Sequence, residues 1–281
     1  MTTDFKIELV TSFYMPENIE RMNELVKALN MNIHNDYINC IHLFVDDNDC
    51  VDYLKNKYDE LFYSKIKICE IGRQPLYSDL FTYCNTLEDK ICMIINSDIW
   101  LHSIYDINIF DKLKENKQKT VFSLTRHEHD FSCPLINEYQ GSHDAFIFIS
   151  PIDNQIIKHI KHKQNVWGSE NVLLYELNKI NYKLYNPCKK IIIVHEHKSE
   201  DRDEDRITIS CGDINGDGIF SIRSFIVRPD HQILINKKQY NPYGPGKAFR
   251  RGIYQTYRKN IIKNYNPYGT GGAFRSKIYK P

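Results

Sequence analysis

Several things are scarce in this 281-residue chain. No apolar run approaches the ~20 residues of a membrane-spanning helix. The opening residues carry no basic-then-apolar leader and run almost directly into a strand, so the expected location is cytoplasmic. The eight cysteines include no Cys-x-x-Cys pair and no zinc-type spacing. Several of them lie inside apolar runs, as reduced core thiols do in a reducing compartment. Alanine occurs only four times, against abundant Ile, Asn, Lys and Tyr; that bias reflects AT-rich coding DNA, not function. Residues 231–281 contain eleven Lys/Arg and no Asp or Glu. The rest of the chain therefore has 26 basic against 36 acidic residues, a formal −10 beneath an overall +1. That asymmetry implies two parts with different jobs.

What is present is an ordinary globular composition, 42% hydrophobic and 26% charged, with enough length for one large domain and an appendage. Residues 5–13, 40–46, 66–71 and 91–98 read as strands, alternating with helical patterns after Pro16 and over 51–62 and 77–87. Beyond them, 120–125, 144–150 and 190–197 are strand-like, and a helix is expected from Ser169 to Ile180. The alternation predicts an α/β fold with a mostly parallel sheet flanked by helices. The main domain is expected to span 1–206. Residues 207–281 form a small basic, Tyr-rich appendage, β-rich or irregular. It carries a tandem repeat, Asn-Pro-Tyr-Gly-x-Gly-x-Ala-Phe-Arg, whose copies begin at Asn241 and Asn266. Two copies are too few for a solenoid. Within it, residues 212–218 match the opening of a calcium loop, but Ser224 stands where a bidentate carboxylate is needed, so a β-turn is the better reading.

The strand at 91–95 has five consecutive apolar residues and then Asn96-Ser97-Asp98. An uninterrupted apolar run suits a strand buried on both faces, and ligands in such sheets bind beyond the carboxyl ends. Asp98 is thus either a turn residue or a ligand for a divalent ion. His195 and His197 alternate onto one face at the end of another strand and are either edge caps or partners for the same ion. Glu170, with Ser169 as cap, is either a helix-start residue or a general base. Asp144 is a turn residue, an acceptor-binding carboxylate or the base itself. Arg73 and Asp46 lie where phosphate, ribose or a nucleobase is commonly held, or are simply a surface Arg and a turn.

In order, Arg21, Asn30, Arg73, Tyr77, Asn96-Ser97-Asp98, Leu124-Thr125-Arg126, Ser142-His143-Asp144, residues 168–171, Asn186-Pro187 and His195-x-His197-x-Ser199-x-x-Arg202 resemble a GT-A-fold glycosyltransferase of the giant-virus or bacterial polysaccharide type, over residues 5–206. The resemblance implies transfer from a nucleotide-diphosphate sugar, UDP-sugar by default, to a glycan or protein hydroxyl, with inversion and with Mn²⁺ or Mg²⁺. It implies Asp98 and His195 or His197 as metal ligands, with Glu170 as base and Asp144 as its alternative. Thr11, Asp46, Arg73, Asn96, Ser97 and Arg202 are the expected nucleotide contacts. Asn96 stands where the family's Asp-x-Asp has its first acid. A different class of function rests on the tail, whose Lys/Arg and Tyr suit nucleic acid or another polyanion.

Overall fold

The computed structural model describes residues 5–58, 64–115, 119–128, 142–164 and 168–198, together with Val227. A seven-stranded sheet forms its centre, built from β1 (Ile7–Phe13), β2 (Ile38–Val45), β3 (Ile66–Glu70), β4 (Ile91–Ile95), β6 (Thr120–Leu124), β8 (Ala145–Ile149) and β9 (Lys183–Tyr185). Their order across the sheet is β3-β2-β1-β4-β8-β6-β9. Only β8 runs against its neighbours β4 and β6; the remaining pairs are parallel. The fold class is therefore the expected one.

Both faces of the sheet are covered. On one, α1 (Ile19–Ile33) and α2 (Asn48–Lys57) pack Met22, Leu25, Leu29, Val51 and Leu54 against Leu9, Ile41 and Met93. On the other, α3 (Tyr77–Cys84), the short α5 (Asn154–Ile157) and α6 (Ser169–Lys179) pack Leu80, Phe81, Ile156, Val172 and Leu173 against Val10, Phe44 and Phe148. Burial on both sides explains why the central strands read as unbroken apolar runs.

A second sheet of three strands, ordered β5-β10-β7, comprises β5 (Ile99–Ile104), β10 (Ile191–His195) and β7 (His127–Glu128). The run at 91–104 is thus two strands in two sheets, hinged at Asn96-Ser97-Asp98. Asn32 of α1 fixes the second one: its Nδ2 donates to Ile99 O and its Oδ1 accepts from Leu101 N, both at 3.0 Å. A short α4 (Asp111–Glu115) completes the set.

Two helix starts differ from the sequence reading. The helix expected after Pro16 begins only at Ile19, with Asn18 as its cap, whose side chain accepts from Glu20 N and Arg21 N. Ser169 does not cap α6; Gly168 does, at φ +90°, and Ser169 Oγ donates instead to Gln164 O. A left-handed cap position suits glycine. The proposed boundary at 206, the repeat, residues 212–218 and Arg202 lie outside the described residues. Val227 alone from that region is described. It is buried, with its N–H on His143 Nε2 and its carbonyl on Asn186 Nδ2.

Candidate active site

The hinge between the two sheets places Asp98 beside the end of β10. In the antiparallel pairing of β5 with β10, His195 stands opposite Ile99, the residue after Asp98. The Glu196 N–H closes the corner by donating to Asp98 O at 2.8 Å. The carboxylate of Asp98 therefore meets both histidines: Oδ2 lies 3.2 Å from His195 Nε2 and 3.8 Å from His197 Nδ1. The two imidazoles stack at 5.3 Å, with planes 8° apart. One ligand atom from each of Asp98, His195 and His197 falls within a single 4.8 Å cluster.

Helix α1 holds this corner. Arg21, Glu24 and Lys27 recur every three residues on one face. Arg21 Nη2 donates to Asp98 Oδ2 at 2.7 Å and Nη1 to Glu24 Oε2 at 3.0 Å. The same Nη1 contacts His197 Nδ1, and Arg21 Nε donates to Tyr14 Oη. Glu24 accepts from Lys198 N, and Lys27 Nζ pairs with Glu196 at 2.7 Å. Segment 196–198, which has no strand pairing of its own, is thereby clamped to the helix.

A second arginine stands on the other side. Arg126 Nη1 donates to Asp144 Oδ1 at 3.1 Å, and Asn96 Nδ2 shares that oxygen at 3.3 Å. Parallel pairing of β7 with β10 puts Glu128 next to His195, with Oε2 3.6 Å from Nδ1. Asp144 Oδ2 and Asn96 Oδ1 are buried without a hydrogen-bond partner among the described residues. Both oxygens therefore retain acceptor capacity for a donor from outside this set.

The electrostatics follow from this crowding. Burial alone would raise the Asp98 carboxyl, but His195 and Arg21 overcome it and hold the group far below the usual carboxylate range. The His195 bond brings Glu128 down to about 2, with Arg126 assisting against burial. His195 rises above its ordinary value because Asp98 and Glu128 outweigh burial and the Arg126 charge.

The donor set fits a divalent ion. A buried carboxylate with two imidazoles is a mixed O/N set that Mn²⁺ accepts, and the site's ionised carboxylate needs no proton removed to ligate it.

Glu170 sits in the first turn of α6; burial holds the Tyr77 phenol well above its ordinary value, and the charges of Glu170 and Asp144 push it the same way. Both candidate bases therefore act on one phenol. Thr11 Oγ1 donates to Ile95 O at 3.1 Å, at the base of the hinge. Asp46 follows β2, with Oδ1 buried and unbonded among the described residues. Arg73 is turned to its own helix start, gripping Asp79 through two bonds of 2.7 and 3.0 Å. Ser97 lies in the hinge itself. Sequence reasoning did not single out Glu24, Lys27 or Glu128, and it noted Arg21 and Arg126 without a role. The three-residue spacing on α1 was the only available sign.

No family profile and no curated protein sequence matches the chain. Solved structures do resemble it. The mannosyltransferase PcManGT of Pyrobaculum calidifontis, solved with GDP-Man and Mn²⁺, aligns over 70% of this chain and 58% of its own, at 7% identity and a TM-score of 0.46. GalNAc-T7, solved with UDP, GalNAc and Mn²⁺, aligns over 70% and 44%, at 10% identity and 0.48. S. aureus TarS 1–349 with UDP-GlcNAc aligns over 69% and 57%, at 10% and 0.39. The chain spans about half the length of the chains it matches. No helix among the described residues is long and apolar enough to cross a membrane.

Proposed function

We propose that the protein is a metal-dependent glycosyltransferase of the hexosyl class. It takes a sugar from a nucleotide-diphosphate sugar, UDP-sugar by preference, and gives it to a glycan or protein hydroxyl with inversion. The observation that carries this reading is the Asp98–His195–His197 cluster at the carboxyl edge of the sheet, flanked by two half-buried arginines, Arg21 and Arg126.

Asp98, His195 and His197 would hold Mn²⁺ or Mg²⁺, which supplies charge neutralisation for a departing nucleoside diphosphate. Arg21 and Arg126 add fixed positive charge in a low-dielectric pocket, where it acts most strongly on a diphosphate. Thr11, Asp46, Arg73, Asn96, Ser97 and Arg202 are assigned to the nucleotide, with Asn96 Oδ1 offering an acceptor to a ribose hydroxyl. Glu170 takes the proton of the acceptor hydroxyl, and the orphaned Asp144 Oδ2 accepts a hydrogen bond from the same substrate. With one base and a leaving group that needs no protonation, single displacement suffices, and the two-acid arrangement of glycoside hydrolysis is not required. The basic region 207–281 serves the polymeric acceptor, and the cytoplasm is the assigned location.

A screen of nucleotide sugars with the full chain, with Mn²⁺ and with chelator, tests the proposal. Chelator-sensitive release of nucleoside diphosphate from at least one donor is expected; no release from any would overturn it.

A further inference from the structure

A second ligand cluster lies at the opposite edge of the sheet. Glu8 of β1 and Cys40 of β2 are register partners, and His42 follows two residues after Cys40 on the same face. His42 Nε2 is 2.8 Å from Glu8 Oε2, and one ligand atom from each of the three residues falls within 4.8 Å. The residues come from near the amino-terminal ends of their strands, whereas Asp98 follows the carboxyl end of β4, so the two clusters are distinct.

The outer partners of this cluster are already in place. Tyr83 Oη meets His42 Nδ1 at 2.9 Å, and Asn39 Nδ2 donates to Glu8 Oε1 at 2.7 Å. Each fixes the ligand's far atom and leaves Nε2 and Oε2 pointing at one another, as outer-shell partners do around bound metals. Lys67 and Lys90 lie within electrostatic reach, so the pocket tolerates anionic ligands. Glu8 and His42 are buried, while Cys40 is only half-buried and gives solvent a way in.

We propose that Glu8, Cys40 and His42 form a structural Zn²⁺ site that ties β1 to β2, with a fourth position for water or a neighbouring side chain. A thiolate, an imidazole and a carboxylate make the S/N/O set Zn²⁺ prefers, and their two negative charges neutralise the ion. A neutral site has little pull on phosphate, unlike the Asp98 cluster, where one carboxylate leaves the ion net positive. Binding displaces the Cys40 thiol proton to solvent, and a neutral His42 ligating through Nε2 carries its single proton on Nδ1, facing Tyr83 Oη. Sequence spacing hides the site, because strand pairing, not a Cys-x-x-Cys turn, brings the ligands together.

The test is a Co²⁺ titration of the chelator-stripped full chain. The wild type is expected to develop a saturable thiolate-to-cobalt charge-transfer absorption that is bleached by Zn²⁺. Cys40→Ser loses the band and Asp98→Ala keeps it, because the Asp98 cluster contains no sulfur. Should Cys40→Ser fail to fold, alkylation of folded wild type gives an independent reading: Zn²⁺ slows modification of Cys40 by about tenfold or more. No band in the wild type, a band that survives in Cys40→Ser, or a Cys40 alkylation rate indifferent to Zn²⁺ would overturn the site.

Discussion

Arg21 Nη2 lies 2.7 Å from Asp98 Oδ2, on the same oxygen that His195 Nε2 approaches to 3.2 Å. Without a metal, the guanidinium does the work a cation would do: it neutralises a buried carboxylate at the hinge between two sheets. The pair also explains the tie between α1 and the segment after β10, since Arg21 reaches His197 as well.

Arg21→Met leaves the Asp98 charge partly uncompensated in a buried place. Removing one partner of such a pair costs on the order of 3 kcal/mol. The metal-free variant is expected to melt well below the wild type, and Mn²⁺ is expected to raise its Tm more than it raises that of the wild type. Thermal unfolding with and without Mn²⁺ reads both; equal metal-free Tm values would contradict the role given to Arg21.

Glu170→Gln is expected to lower transfer by about 10²–10⁴-fold while donor binding persists, the range for losing a general base. Asp144→Asn is expected to weaken acceptor use and leave a larger kcat. Steady-state kinetics with an active donor separate them. If transfer falls only in Asp144→Asn, the proton goes to Asp144.

Asn32→Ala removes both side-chain bonds that hold β5 to α1. Each leaves a buried backbone group unsatisfied, so the expected loss is about 2 kcal/mol or more, read as a lowered denaturant midpoint. A loss below about 0.5 kcal/mol, typical of surface substitutions, would mean β5 is held by sheet pairing alone.

Burial lowers the pKa of His162 to about 4 and that of His143 to about 3, against backbone hydrogen bonds that oppose it. Below pH ~6.5 the unfolded chain takes up these protons while the folded chain does not, so each residue costs about 1.4 kcal/mol of stability per pH unit until its folded value is reached. Stability is therefore expected to fall steadily from pH 6.5 to 4. His162→Asn should flatten that slope, as urea unfolding at a series of pH values will show; an unchanged slope would mean that His162 is not buried neutral.

Most of the sheet was legible because strands buried on both faces keep continuous apolar runs: 5–13, 40–46 and 91–95 read correctly for that reason. Strand β5 was hidden because Trp100 and Leu101 continue the apolar run of β4 across a three-residue hinge. The run gives no sign that the chain has changed sheets. Ser169 misled because a Ser before an acid looks like a cap, whereas Gly168 takes the left-handed position in front of it. Asp98 and the two histidines were readable as strand-end polar residues. The clamp formed by Arg21, Glu24 and Lys27 was not, because on sequence it is the polar face of an amphipathic helix. Its partners at 196–198 are about 170 residues away, and only the fold brings them together.

The most direct measurement is nucleoside-diphosphate release from an active sugar nucleotide, with and without Mn²⁺, by wild type and Asp98→Ala in parallel. The account predicts Mn²⁺-dependent turnover in the wild type and a loss of about 10²-fold or more in the variant, the scale of a lost electrostatic contact to the transition state. Undiminished, Mn²⁺-dependent turnover in Asp98→Ala would contradict it.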